Sequence, residues 1–256
     1  MGTFPGFTTR LSKPSPIAAQ ILPAIALLAS VVAFTVPAGA GSSCFGRAAT
    51  IIGTEDDEHI EGTKGDDVIT ALGGDDSIYG AGGDDRICGN QGNDVVSGGA
   101  GSDHMSGGTG IDFFIIVSQE EARVDLGTGS TGGGEGLDSI RRHSIEGVRV
   151  SDCHAAHYVI LGDDRTNYLY GQEGRETIRG KGGDDVIWGD GEHELSDICP
   201  GGSADRLFGG TGKDRFDAGG GNDYIHGGSG NDGANAGGGR DECVSVERSY
   251  DCERRT

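Results

Sequence analysis

The sequence predicts an all-β protein, a right-handed parallel β-roll or β-helix solenoid in two repeat blocks joined by a β-rich spacer. Three observations predict it. First, Asp67, Asp76, Asp85, Asp94, Asp103 and Asp112 stand nine residues apart without a slip, and the spacing returns at Asp205, Asp214, Asp223, Asp232 and Asp241. Second, each aspartate of the first block has an apolar residue two positions on (Ile69, Ile78, Ile87, Val96, Met105, Phe114) and a glycine two positions before. A nine-residue period of glycine turn, carboxylate and buried apolar residue is the signature of a solenoid with one short strand per repeat. Third, no stretch keeps apolar residues at helical spacing for three turns, and 51 glycines oppose helix everywhere.

Residues 1 to 40 hold no acid, two bases (Arg10 and Lys13) and a mostly apolar run from Ala24 to Val36. Ala38-Gly39-Ala40 then offers an A-x-A cleavage pattern, so the segment reads as a secretory signal peptide. The apolar run is shorter than the roughly 20 residues a membrane span needs. Gly41-Ser42-Ser43 before Cys44 makes a poor lipobox. Cleavage would take the net charge from −21 to −23 and leave a chain with no membrane anchor.

Residues 41 to 116 form the first block after a short entry segment, with Glu58 and Ile60 as an imperfect opening row. Residues 117 to 160 break the period. They contain Val124-Asp125-Leu126, a glycine-rich loop at 127 to 136, and Ser144 to Val148. Both strand-like pieces are able to continue the sheet without a metal turn between them. The second block spans 161 to 243 and starts with Asn167/Leu169, Glu176/Ile178 and Asp185/Ile187. Asp185 to Asp205 is 20 residues rather than 18, which places an insertion there. Residues 244 to 256 form a charged tail or cap that has lost the repeat.

Composition excludes several classes. Collagen needs glycine at every third position and abundant proline, and this chain has only 6 prolines. An excess of 41 acidic over 20 basic residues repels nucleic acid and anionic lipid and attracts cations. Disorder is the plain expectation for such a chain unless a counter-ion neutralises the carboxylates. Six cysteines in an exported chain favour disulfides, with 15 pairings open. Cys243 and Cys252 are close enough for a terminal clip. No C-x-x-C pair supports zinc.

Two repeats make one coil of a flattened spiral, so repeats n and n+2 stack at roughly 4.8 Å. Asp67 then faces Asp85, and Asp76 faces Asp94. Carboxylates that close repel unless a cation lies between them. Turn glycines adopt positive φ and aim carbonyl oxygens inward. Carboxylate and carbonyl oxygens together are a hard donor set that suits calcium. The expected metal residues are Asp67, Asp76, Asp85, Asp94, Asp103, Asp112, Asp185, Asp205, Asp214, Asp223, Asp232 and Asp241. With them go Gly65, Gly74, Gly83, Gly92, Gly101, Gly110, Gly212, Gly221 and Gly230. A single Gly-Asp-Asp is an ordinary Asx turn that needs no metal; eleven in phase are not.

Gly82-Gly83-Asp84-Asp85-Arg86-Ile87 and Gly219-Gly220-Gly221-Asn222-Asp223-Tyr224-Ile225 carry a nonapeptide of the form Gly-Gly-x-Gly-x-Asp-x-U-x, with U apolar. Over most of residues 53 to 243 the chain resembles the RTX, or hemolysin-type, calcium-binding repeat family. That resemblance implies a parallel β-roll, calcium in the turns, folding on calcium and export. The stretch 124 to 148 is similar to the spacers such proteins carry. Many relatives use a C-terminal export signal, whereas this chain has an N-terminal one. Glu58, Asn167, Glu176 and Ala234 depart from the repeat and are expected to weaken their rows.

Other motifs carry little. His193-Glu194-Leu195-Ser196-Asp197 lacks the second histidine of H-E-x-x-H, and Cys153-His154-Ala155-Ala156-His157 is a spacer cluster. Gly127 to Gly132 matches G-x-G-x-x-G, which glycine density alone produces. The expected protein is a secreted, extracellular, non-enzymatic calcium binder. An adhesion module for a cell surface or polysaccharide is the first rival, although Thr70, Tyr79, Cys88, Ser97 and Ser106 form no uniform outward ladder. A β-helix polysaccharide lyase or epimerase is the second.

Overall fold

A computed structural model describes residues 43–117, 121–133, 137–151, 157–172, 174–190 and 202–255. The expected signal peptide, Cys153, His154, Cys199 and the segment His193 to Asp197 lie outside the described residues. So does everything else in 191–201.

The repeat folds as expected of a β-roll. Strands alternate between two faces. Short strands such as His59–Glu61, Ser77–Tyr79 and Val95–Ser97 form one face. Longer strands such as Val68–Gly73, Arg86–Gln91 and His104–Thr109 form the other. Pairing along each face is parallel and advances by 18 residues: Ile60 on Ile78 on Val96, and Ile69 on Ile87 on Met105. Among the described residues the short-strand face has ten strands and the long-strand face thirteen, with no helix. The longer strands exceed the expected three residues because pairing continues through Leu72 on Asn90 and Gly73 on Gln91. The inward apolar residues of both faces meet in one thin core. Ile69, Ile87, Val96, Met105, Ile178, Ile187, Leu207 and Ile225 are fully buried there. Each contributes roughly 1.5–3 kcal/mol, set against the entropy of a glycine-rich chain.

The spacer continues both faces. Phe113–Ile116 pairs in parallel with Gly147–Val150 on the short-strand face. On the long-strand face the chain inserts an antiparallel meander. Ala122–Asp125 pairs with Ser130–Gly133, which pairs with Ser139–Ile140, and the outer two rejoin the parallel stack. Part of the glycine-rich segment therefore pairs as a strand rather than forming loop. Gly129, at φ +71°, closes the turn by donating its N–H to the Asp125 carbonyl at 2.8 Å. The G-x-G-x-x-G match is this hairpin.

The insertion in the second block is larger than the aspartate spacing suggests. Ile178 pairs with Leu207 and Ile187 with Phe216, each 29 residues apart. Asp205 therefore belongs to the row after Asp185, not two rows on, and the insertion is eleven residues rather than two. Counting between aspartates cannot tell one long row from two ordinary ones; strand register can.

The tail adds a last, shrinking coil. Arg248–Tyr250 lies on Gly233–Asn235 at a spacing of 15, and Arg254–Arg255 on Glu242–Cys243 at 12. Cys243, buried on the long-strand face, is bonded to Cys252 in the final turn, with Cα atoms 5.9 Å apart. At the other end Cys44, in the small hairpin Ser43–Cys44/Arg47–Ala48, is bonded to Cys88, with Cα atoms 5.7 Å apart.

Candidate metal sites in the turns

The periodic aspartates lie just before strands, on the two edges of the roll. One edge carries Asp67, Asp85, Asp103, Asp205, Asp223 and Asp241. The other carries Asp76, Asp94, Asp112, Asp185, Asp214 and Asp232. Along each edge the Oδ1 of one aspartate accepts the backbone N–H of the residue one coil earlier. Examples are Asp67 to Asp85, Asp76 to Asp94, Asp185 to Asp214 and Asp223 to Asp241, at 2.8–3.0 Å. This bond fixes each carboxylate and leaves its second oxygen to be accounted for.

In eleven rows that second oxygen has no partner. Oδ2 of Asp76, Asp85, Asp94, Asp103, Asp112, Asp185, Asp205, Asp214, Asp223, Asp232 and Asp241 is buried and makes no hydrogen bond. A buried anionic oxygen without a donor is costly, so the arrangement fits a cation. The exceptions show how a turn closes without one. Oδ2 of Asp67 accepts the N–H of Thr63 at 2.7 Å and the Thr63 hydroxyl at 2.8 Å. Asn167 Oδ1 accepts the Asp163 N–H at 2.7 Å, and Glu58 Oε2 the Thr54 N–H at 2.7 Å. In each closed turn the donor lies four residues before the acceptor.

In ten of the eleven open turns that residue has positive φ, and its N–H is not delivered. It is Leu72 at +80°, Ala81 at +79°, Asn90 at +80° and Lys181 at +81°, and glycine at 99, 108, 210, 219, 228 and 237. Left-handed leucine, alanine and lysine are strained by roughly 1–2 kcal/mol each. The eleventh open row, Asp205, follows the insertion. The expected glycines behave accordingly: Gly74, Gly83, Gly92, Gly101, Gly110, Gly212, Gly221 and Gly230 have positive φ, and Gly65, in the closed Asp67 turn, does not.

A second set of glycines frames the orphan oxygens. It lies five residues before the aspartate and includes Gly80, Gly89, Gly98, Gly107, Gly180, Gly209 and Gly227. A Cβ on Gly227 would stand 2.6 Å from Asp232 Oδ2. One on Gly209 would stand 2.5 Å from the Gly227 carbonyl and closer still to Asp214 Oδ2. The glycine thus keeps open a space bounded by a carboxylate oxygen and a carbonyl oxygen of the next coil. Those are the donors calcium takes at roughly 2.3–2.6 Å. These glycines hold the first position of the nonapeptide, five before the aspartate, but were not among the expected metal residues.

Burial pushes the carboxylates up, with neighbouring carboxylates adding to it and the backbone bond opposing it. Asp76, Asp85, Asp112 and Asp223 rise to about 7, Asp94, Asp103 and Asp214 to about 6, and Asp185 to about 8. A cation in the turn would reverse this. Spacer and tail also supply carboxylates that the period does not reveal. Asp138 Oδ1 accepts the Asp103 N–H at 3.0 Å, Glu146 Oε2 the Asp112 N–H at 3.1 Å, and Glu247 Oε2 the Asp232 N–H at 2.7 Å. Their spacings of 35, 34 and 15 hide them in the sequence.

A family model for the RTX calcium-binding nonapeptide repeat matches in four copies, at residues 52–87, 82–114, 161–193 and 201–234. A search against curated proteins finds no match. The four copies cover just over half of the chain and take in ten of the eleven open turns, so the chain belongs to the RTX calcium-binding nonapeptide repeat family and is a calcium-binding repeat protein.

Proposed function

We propose that the protein is a secreted, non-enzymatic calcium binder whose roll folds on calcium. One observation carries this reading: eleven buried aspartate oxygens without a donor, ten of them in turns held open by a positive-φ residue. A thin core and a net charge of −21 leave the metal-free roll little to offset their repulsion. Export is supported by the disulfides Cys44–Cys88 and Cys243–Cys252, which persist in an oxidising compartment, and by the layout of residues 1 to 40. The absence of a catalytic role is supported by the use of the chain, since the described residues are roll, hairpin or cap. The test is circular dichroism of residues 41 to 256 during a calcium titration, with return in EDTA. The β signal should appear with calcium and vanish with EDTA; an unchanged spectrum rejects the reading.

A second reading has a specific observation behind it. On the outward side of the long-strand face Arg179, Phe208 and His226 stack in one column, with Arg206 and Tyr224 beside them. Arg179 lies 4.6 Å over the Phe208 ring, and Arg206 5.4 Å over Tyr224. An aromatic and cationic ladder suits an anionic polysaccharide and supports an adhesive role for the second block. Retardation in gels containing such a polysaccharide, lost in Phe208→Ala, tests it. Chain cleavage or epimerisation of the same polysaccharide would instead favour the lyase or epimerase reading.

A further inference from the structure

One row departs from the pattern in a way that adds a ligand rather than losing one. Glu176 stands at an aspartate position and was expected to weaken its turn. Its longer side chain reaches further into the edge, where it is fully buried and both carboxylate oxygens lack a partner. Its backbone N–H donates to Asp205 Oδ1 at 3.0 Å, which fixes Asp205 one coil on with Oδ2 orphaned.

Asp190 completes the group. It immediately precedes the 191–201 insertion, and its Oδ2 accepts the Gly220 N–H at 2.6 Å. It takes the place that a positive-φ residue holds in the other open turns. Gly219 of the next coil, at φ +91°, leaves room for it, since a Cβ there would stand 2.6 Å from the Asp190 Cβ. One oxygen from each of Glu176, Asp190 and Asp205 lies within 4.8 Å of the others. A Cβ on Gly189 would also meet Asp205 Oδ2 and lie 2.7 Å from the Ala218 carbonyl.

We propose that Glu176, Asp190 and Asp205 form a three-carboxylate calcium site, tighter than the repeat turns, that ties together the two ends of the insertion. The proposal rests on the calcium reading above. An all-oxygen donor set favours calcium over zinc or copper. Three carboxylates bring a charge of −3 where an ordinary turn brings one carboxylate and carbonyl dipoles, and calcium affinity rises with ligand charge. Without a cation, the buried Glu176 is neutral only by taking a proton. The alternative occupant is therefore a proton shared between Glu176 and Asp205.

The test is equilibrium dialysis of the full chain against graded free calcium, with bound calcium counted by atomic emission. Folding of each variant is checked by circular dichroism in excess calcium. One calcium per chain should bind at least tenfold more tightly than the rest. Asp190→Asn and Glu176→Gln should each weaken that one at least tenfold and spare the others, and Asp94→Asn should spare the tight one. A tight class that survives both variants, or that is missing from the wild type, overturns the proposal. So does a protonated-acid infrared band in calcium-saturated protein that Glu176→Gln removes. No calcium binding at all overturns the proposed function as well, whereas loss of the tight class alone leaves that function standing.

Discussion

The backbone N–H of Asp67 donates to Oδ1 of Asp85, eighteen residues on, at 2.8 Å, and Oδ2 of Asp85 is left buried without a donor. The two aspartates look equivalent in sequence. Asp67 is satisfied at both oxygens by protein groups, and Asp85 at one only. Asp85→Ala should therefore raise the calcium midpoint of folding severalfold, and Asp67→Ala less than twofold. Circular dichroism titrations of the two variants check this, and equal midpoints contradict it.

Glycine stands five residues before seven of the open aspartates and alanine (Ala71, Ala218 and Ala236) before three, so its replacement should matter where a Cβ would meet both the carboxylate and the facing carbonyl. Gly209→Ala puts a methyl where Asp214 Oδ2 and the Gly227 carbonyl converge, so the variant should bind one calcium fewer per chain. Gly238→Ala adds the same methyl where nothing lies within 4 Å, and it should bind as the wild type does. Metal analysis of both variants at saturating calcium makes the comparison.

Ala81 sits at φ +79° in the open turn of Asp85. Glycine there relieves left-handed strain and loses only one methyl. Ala81→Gly should stabilise the calcium-loaded roll by about 0.5–1 kcal/mol, net of glycine's greater freedom when unfolded. Urea unfolding in excess calcium should show a higher midpoint at unchanged slope.

The pH dependence should reverse with calcium. In EDTA the folded-state pKa values, about 6 to 8, lie above the ordinary 3.8. A carboxylate raised on folding contributes stability that is full below its unfolded value and lost as pH climbs through the folded one. The metal-free chain should thus gain β signal on acidification from pH 8 to pH 5. With calcium, protons compete for the same oxygens, and the apparent affinity should fall over that interval. A metal-free chain equally unfolded at both pH values would count against the burial of these groups.

The Cys243–Cys252 bond should behave as an end clip. Non-reducing peptide mapping should find these two joined. Replacing both by serine should destabilise the last coil by about 2–3 kcal/mol, the scale expected for a short closed loop. Hydrogen exchange should rise at residues 242–255 first, with the first block unaffected.

The rows, the faces and the buried apolar column were legible because period nine fixes them: Ile69, Ile78 and Ile87 needed only counting. The state of each turn was not. Thr63 and Ala81 are both ordinary residues four positions before an aspartate. Only their backbone angles decide whether an N–H reaches the carboxylate or a cation is needed. Glu176 read as a defect because identity was compared position by position, whereas its partner Asp190 came from outside the motif. Asp138 and Glu146 were hidden because the meander lengthens their coil to a spacing that is not a multiple of nine.

The carboxylate-to-amide bonds run one way. Within each repeat block a row's N–H is received by a carboxylate that comes later in the chain, from Glu58 to Asp76 at the start and from Asp232 to Glu247 at the end. The stack therefore has a polarity that its alternating faces conceal. Trimming from either end cuts the strand ladder, but among the carboxylate-to-amide bonds an amino-terminal cut strands only acceptors, which water at a surface readily satisfies. Trimming it from the carboxyl-terminal end strands donors and removes the anion that held the preceding row. A chain emerging amino end first thus cannot lock any row until its successor has appeared, and Glu247 and the Cys252 bond arrive last. Order is written into the direction of the bonds: each coil is sealed by the one made after it, and the last by Glu247 and the Cys252 bond.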